Sequence, residues 1–200
     1  MEDPKQAKGL VKRGLLRIVT PGTVIDSSML NETENNYLMA ITVKGEYAAS
    51  FCDMSTGEFF SIIFPNRQSL INEITRLNPS ECIVPESLMV DIEFIEKIKT
   101  VCCVNTLCDY HYRLEKAEEL LLNHFNTSSL DSFGLQGLSI SVSGALLKYL
   151  IDTQKNSLSH IKSISLKSNQ HNMILDSSTF RNLELTKNIK DGSSRGTLLS

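Results

Sequence analysis

Between residues 37 and 64 the chain passes through three stretches in which almost every position is apolar, parted by short polar breaks. Residues 37–43 end at Lys44-Gly45, residues 47–54 run into Ser55-Thr56-Gly57, and residues 59–64 stop at Pro65. Short apolar runs bounded by glycine and proline read as strands, and the tight breaks join them into an antiparallel meander. In the third run Phe59, Ser61 and Ile63 fall on one side and Phe60, Ile62 and Phe64 on the other, because side chains alternate along a strand. Neither side is polar. Such a strand is covered on both faces, so helices are expected above and below the sheet.

The period then lengthens. Asn66 is placed to cap a helix over residues 67–78, with Leu70, Ile71, Ile74 and Leu77 as its apolar stripe and Pro79 forbidding continuation. A short strand over 81–84 is closed by Pro85, a weaker helix covers 90–99, and a further short strand covers 101–104. The order βββαβαβ predicts an α/β fold: a leading antiparallel meander, then βαβ units. After Tyr112 the pattern becomes helical, and an all-α segment is expected to follow the α/β part. Residues 113–125 set Leu114, Ala117 and Leu121 against Glu115, Glu118 and Glu119, and residues 139–153 are rich in leucine. Residues 164–172 read as a polar stretch, and Asp176 is placed to cap a last helix over 177–189.

The flanks differ from this centre. Lys5, Lys8, Lys12, Arg13 and Arg17 against Glu2 and Asp3 make the leader locally basic; it reads as a solvated linker, with phosphate contact as the alternative. A strand-like run over 15–19 precedes the Pro21-Gly22 turn. At the far end an apolar run begins at Thr197-Leu198-Leu199-Ser200 as the sequence stops, which predicts a piece of a longer protein.

Composition narrows the function classes. With 41% hydrophobic and 22% charged residues, 200 residues can build a real core. A net charge of −3 lacks the basic excess of a dedicated nucleic-acid binder. Five cysteines, Cys52, Cys82, Cys102, Cys103 and Cys108, are an odd number without framework spacing, and read as free buried thiols in a reducing compartment. Cys103, Cys108 and His111 lack the paired spacing of a zinc site. No apolar run is long enough for a membrane span and no signal peptide is recognisable, so a cytoplasmic location is expected.

The motifs of chemistry are sparse. His111, His124, His160 and His171 stand in no nucleophile-elbow or cysteine-protease setting; His160 is the one to watch, with a structural loop role expected. Gly134-Leu135-Gln136-Gly137 lacks the phosphate-loop lysine and reads as a turn between helices. Asp53, with Glu58 beyond it, opens the sharpest enzymatic alternative: a ribonuclease-H-like nuclease holding two magnesium ions. Against it, Asp53 opens a Ser-Thr-Gly turn, where aspartate caps its own backbone, and residues 82–84 and 101–104 supply no inward carboxylate. Tryptophan is absent and the phenylalanines fall at core spacing, which speaks against a stacking platform for single strands.

Several blocks carry a family resemblance in order along the chain. Residues 2–13 (EDPKQAKGLVKR) with 17–23 (RIVTPGT), then Asn35-Asn36-Tyr37-Leu38, 52–59 (CDMSTGEF), 78–86 (NPSECIVPE), Leu147-Lys148-Tyr149-Leu150, 152–161 (DTQKNSLSHI) and 175–188 (LDSSTFRNLELTKN) resemble the MutS family of DNA mismatch-repair proteins. The family usually shows Glu-Val at Gly14-Leu15. The resemblance implies that residues 1–32 are a linker leaving the mismatch-binding domain, 33–162 the ribonuclease-H-like connector domain, and 163–200 the start of the core, or lever, domain. It further implies a docking surface for a MutL-type partner and a role linking the mismatch-binding and lever domains. The parent would be a homodimer that binds mismatched duplex DNA, with ATP and magnesium. No catalytic, cofactor-binding or metal-ligating residue is carried onto this sequence, and no cofactor is expected within it.

Overall fold

The computed structural model describes residues 18–23, 35–154, 158–167 and scattered positions between 179 and 197. The meander forms as its breaks predict: β1 (Tyr37–Lys44), β2 (Glu46–Asp53) and β3 (Phe59–Phe64). β1 turns into β2 at Gly45, in register from Tyr37 opposite Asp53 to Lys44 opposite Glu46, and β2 pairs β3 in the same antiparallel sense.

Two parallel strands extend the sheet beyond β1: β4 (Glu81–Pro85) beside β1, and β5 (Cys103–Leu107) beside β4. At the opposite edge β6 (Ser165–Lys167) lies parallel to β3. The six-stranded order is β5-β4-β1-β2-β3-β6. This is an α/β fold, a meander flanked by βαβ units, as the ribonuclease-H-like expectation requires.

Helices cover both faces. On one side α1 (Arg67–Leu77) and α2 (Ile92–Lys99) bury Leu70, Ile74, Phe94, Ile95 and Ile98 against Met39, Ile41, Phe51, Phe60 and Phe64. On the other, α3 (Leu114–Phe125) and α4 (Leu138–Gln154) bury Ala117, Leu121, Leu146 and Leu150 with Leu38, Ala40 and Cys52. Alternate residues of one strand therefore enter two separate cores, which explains why no strand has a polar face. α4 lies between the sheet and α3 and is buried nearly all round, so its sequence shows no single stripe. At its centre Ser143 Oγ meets Ser50 Oγ of β2 at 2.7 Å and donates to Ser139 O, satisfying the hydroxyl that the sheet desolvates.

The ends of α1 are local chemistry. Asn66 accepts from Ser69 N at 2.9 Å, and Asn78 closes the helix with φ 46°, leaving Pro79 outside.

The structure corrects several expectations. The last connector strand is Cys103–Leu107 and not 101–104: Val101 N and Cys102 N still bond Ile98 O, so these residues finish the turn of α2. The strand that follows carries polar Asn105 and Thr106 at a half-exposed edge, where hydrophobic pattern is weak. The helix expected from Val90 begins at Ile92, capped by Asp91, after a 3-10 turn over Glu86–Val90. Leu114 is 40% exposed, and the buried stripe of α3 runs through Ala117 and Leu121 instead. Residues 165–167, expected in a polar stretch ahead of an all-α segment, are β6; three residues with an exposed edge carry too little periodicity to announce a strand. Of the strand-like run over 15–19, only Ile18 and Val19 are described; both are solvent-exposed and neither is in a strand. The basic leader and most of the last predicted helix, with its Asp176 cap, lie outside the described residues.

Candidate functional site: two carboxylates and a junction

Asp53 ends β2 and is fully buried. Its Oδ1 accepts from Ser55 N (2.8 Å) and Ser55 Oγ (2.7 Å), while its carbonyl accepts from Gly57 N. This is the self-capping turn its sequence setting predicts. Oδ2 is buried without a protein partner. Glu58 enters β3 beside it, where Tyr37 Oη donates to Oε2 at 2.7 Å and Lys167 Nζ of β6 donates to Oε1 at 2.7 Å. A cation from the chain itself thus already faces Glu58.

The second buried carboxylate is Glu81, at the start of β4, and sequence reading missed it. It is fully buried and accepts from three parts of the chain: Gly22 N at 2.9 Å, Asn105 Nδ2 of β5 at 2.7 Å and Tyr149 Oη of α4 at 2.6 Å. The expectation that the later strands hold no inward carboxylate is corrected here. Its signal was its place two residues before Ile83, on the face that β4 turns toward α4.

Strand register decides what these acids can do together. Asp53 stands opposite Tyr37, and Glu81 stands opposite Leu38. Consecutive residues of β1 point to opposite faces, so Asp53 and Glu81 lie on opposite sides of the sheet. They cannot share a metal ion, and a two-metal site needs ions about 4 Å apart. Among the described residues no three His, Cys, Asp or Glu side chains come together as a metal-binding group.

The remaining candidates are structural in their contacts. His124 bonds Ile161 O at 3.0 Å through Nε2, tying the end of α3 to the stretch before β6. His160 is exposed, with its carbonyl set against Gly57. His111 shares a shallow depression with Tyr110, Lys116, Glu119 and Lys148, where Lys116 is paired with Glu119 and Lys148 with Asp152. His171 lies outside the described residues. The 134–137 stretch is the turn into α4, with Ser139 Oγ accepting from Gln136 N. All five cysteines are free; Cys52, Cys82 and Cys102 are buried, whereas Cys103 and Cys108 are exposed, contrary to the expectation of buried thiols throughout. Cys103 opens β5, the outer strand, and Cys108 follows its last residue. No described helix is long and apolar enough to cross a membrane.

The electrostatics follow from burial. The Tyr37 hydroxyl is pushed up to about 12, first by burial and then by its hydrogen bond to Glu58. Burial works to raise the Glu58 carboxyl too, but hydrogen bonds from Lys167 and Tyr37 outweigh it and hold it below the ordinary carboxylate range. A lowered carboxyl favours the folded state at neutral pH, and that contribution disappears as pH falls through the folded value. The urea midpoint of the chain should therefore exceed that of Lys167→Met near neutral pH, and the two should converge in acid once the pH has fallen through the lowered value of Glu58. Because both side chains are over a third exposed, the gap should stay within about 1 kcal/mol. A gap that persists in acid would mean that Lys167 acts by packing on the Phe60 ring, 3.5 Å from its Nζ, rather than through Glu58.

Comparison with known proteins agrees with this geometry. A family model described as MutS domain II matches residues 36–162. The chain is 41% identical over 197 residues to the DNA mismatch repair protein MutS of Methanococcoides burtonii, with 95% of the chain and 22% of that protein covered. It is 42% identical over 205 residues to the MutS proteins of Protochlamydia amoebophila and Lachnoclostridium phytofermentans, with all of the chain and 24% and 22% of those proteins covered. It thus spans about a quarter of the length of the relatives it matches. A sheet covered on both faces, a match through residues 36–162 and about 40% identity along nearly all its length place this chain in the MutS family, as a segment carrying domain II.

Proposed function

We propose that this chain works as the connector of a MutS-type mismatch-repair protein. Residues 33–162 form the connecting body, residues 1–32 lead in from a mismatch-binding region, and residues from 163 lead out toward a core, or lever, domain. Ser165–Lys167 remain bonded to β3 as the chain departs. The observation that carries the reading is the pair of cores on opposite faces of one sheet, because a body packed on both sides moves as a unit. Coupling between distant sites needs an element with two discrete arrangements, and a rigid connector repositioned between its neighbours supplies one. Mismatched DNA, ATP with magnesium, and dimer formation belong in this reading to the longer homodimeric protein, which acts in the cytoplasm. The connector itself is not an enzyme and offers its surface to a MutL-type partner.

Immobilised chain should retain the cognate MutL-type protein, hydrolyse no ATP and bind heteroduplex no better than matched duplex. ATP turnover or a mismatch preference by this segment would sink the reading. The same preparation tests the nuclease alternative. Magnesium- or manganese-dependent cleavage abolished by Asp53→Ala would revive it, and intact duplex, hybrid and single strands would dismiss it.

A further inference from the structure

Residues 18–23 lie before the region that matches the domain family, yet they are bonded into the connector at four places. Gly22 N donates to Glu81 Oε2, Ile18 N donates to Thr153 O at 2.7 Å, Asn36 Nδ2 donates to Pro21 O at 3.0 Å, and Gln154 Nε2 donates to Thr23 O at 3.4 Å. Gly22 and Thr23 are buried. Thr23 Oγ1 accepts from Thr20 N, which closes the turn on itself. A β-carbon at Gly22 would stand 2.9 Å from Leu38 Cδ1 and 3.0 Å from Glu81 Cβ, so the backbone is pressed onto the sheet as closely as glycine permits.

Two of these contacts end on the last turn of α4, at Thr153 and Gln154. The third member of the group is Glu81, which also holds Tyr149 one turn earlier in α4 and Asn105 in β5. One carboxylate therefore ties together the incoming strap, the closing end of the central helix and the edge strand. Burial and the bond to Glu81 raise the Tyr149 hydroxyl above its ordinary range, so it stays protonated and donates throughout the neutral range. A carboxylate has acceptor sites enough for all three donors, and a carboxamide does not, since one of its two heads is itself a donor.

We propose that Glu81 is a positioning residue that locks residues 18–23 to the last turn of α4, making the incoming strap and the end of that helix one mechanical unit. A pull that reaches Ile18 is then delivered to the end of α4. Its meaning for repair rests on the connector reading, but the contacts do not.

Amide hydrogen exchange on the 200-residue chain tests it without any repair activity. In the unaltered chain Gly22 and Ile18 should be protected, opening with the residues of α4's last turn. Glu81→Gln should speed exchange at Gly22, Ile18 and residues 150–154 together by roughly 10-fold or more, the change expected when about 1.4 kcal/mol of bonding is lost. Amides of mid-sheet Phe51 and Phe60 should keep their rates. If Glu81→Gln unfolds the chain, Gly22→Ala decides, because its β-carbon lifts the strap while leaving the carboxylate in place; the same joint loosening is expected. Loosening of the strap with α4's last turn unchanged would overturn the proposal. So would unprotected exchange at Gly22 and Ile18 in the unaltered chain. A pull-down that failed to find a MutL-type partner would leave this result standing, so the two readings fail separately.

Discussion

Gly144→Ala is expected to destabilise the chain by about 2–3 kcal/mol, the cost of overpacking a tight contact. Local propensity alone argues the other way, since exchanging glycine for alanine inside a helix ordinarily gains about 1 kcal/mol. Packing decides the sign. A β-carbon on Gly144 would stand 2.4 Å from both Cα and Cβ of Ala117, and 2.9 Å from its carbonyl oxygen. Two of those three atoms are backbone, so no rotamer change relieves the contact and α3 must move away from α4. That motion would pull Leu121 and Leu146 apart in the shared core. Denaturant unfolding of the two chains measures the difference. Adding Ala117→Gly should restore only part of the loss, because the Ala117 Cα remains in the way. A more stable Gly144→Ala chain would show that the two helices do not cross this closely.

Phe51→Ala should cost more, about 3–5 kcal/mol, as expected for truncating a fully buried phenylalanine. Its ring stacks on Phe60 with centroids 5.2 Å apart and planes at 20°, and meets Tyr37 edge-on at 6.3 Å. Phe51 belongs to the core beneath α1 and α2, and Gly144 lies in the layer on the other face. Substitutions in separate cores that share no partner add to within about 0.5 kcal/mol. The gentler Phe51→Leu, combined with Gly144→Ala in a double-mutant cycle, should therefore give nearly the sum of the single losses. Coupling well above that level would mean that the two faces act as one core. Phe51→Ala itself, read by urea midpoint, should be folded but close to the limit of a domain of ordinary stability.

Much of this was legible because it is written in neighbouring residues. The three strands of the meander followed from apolar runs and their turn residues, and the strand bounds fall within a residue of expectation. The Asn66 cap of α1 and its stop before Pro79 needed only the sequence around them, and so did the turn that consumes one oxygen of Asp53. The missed elements are those whose existence depends on a distant partner. β6 is a strand only because β3 lies beside it. The register of β5 is set by β4, which places Cys103 opposite Glu81. Glu81 was missed for the same reason: a glutamate at the start of a short strand looks solvated until Gly22, Asn105 and Tyr149, up to 68 residues away, are brought to its oxygens.

The sequence by itself determined the two-faced sheet, the helices over it and the self-capping turn at Asp53, since hydrophobic period and turn chemistry act over a few residues. The family could be recognised from ordered blocks along the chain without any coordinates. Only the tertiary structure decided that Asp53 and Glu81 point to opposite faces, that Gly144 of α4 lies against the Ala117 backbone of α3, and that Gly22 bonds the buried Glu81 while Ile18 bonds Thr153 of α4. Those facts depend on strand register and helix crossing. Both are settled by long-range packing, which desolvates a group first and then requires a partner for it.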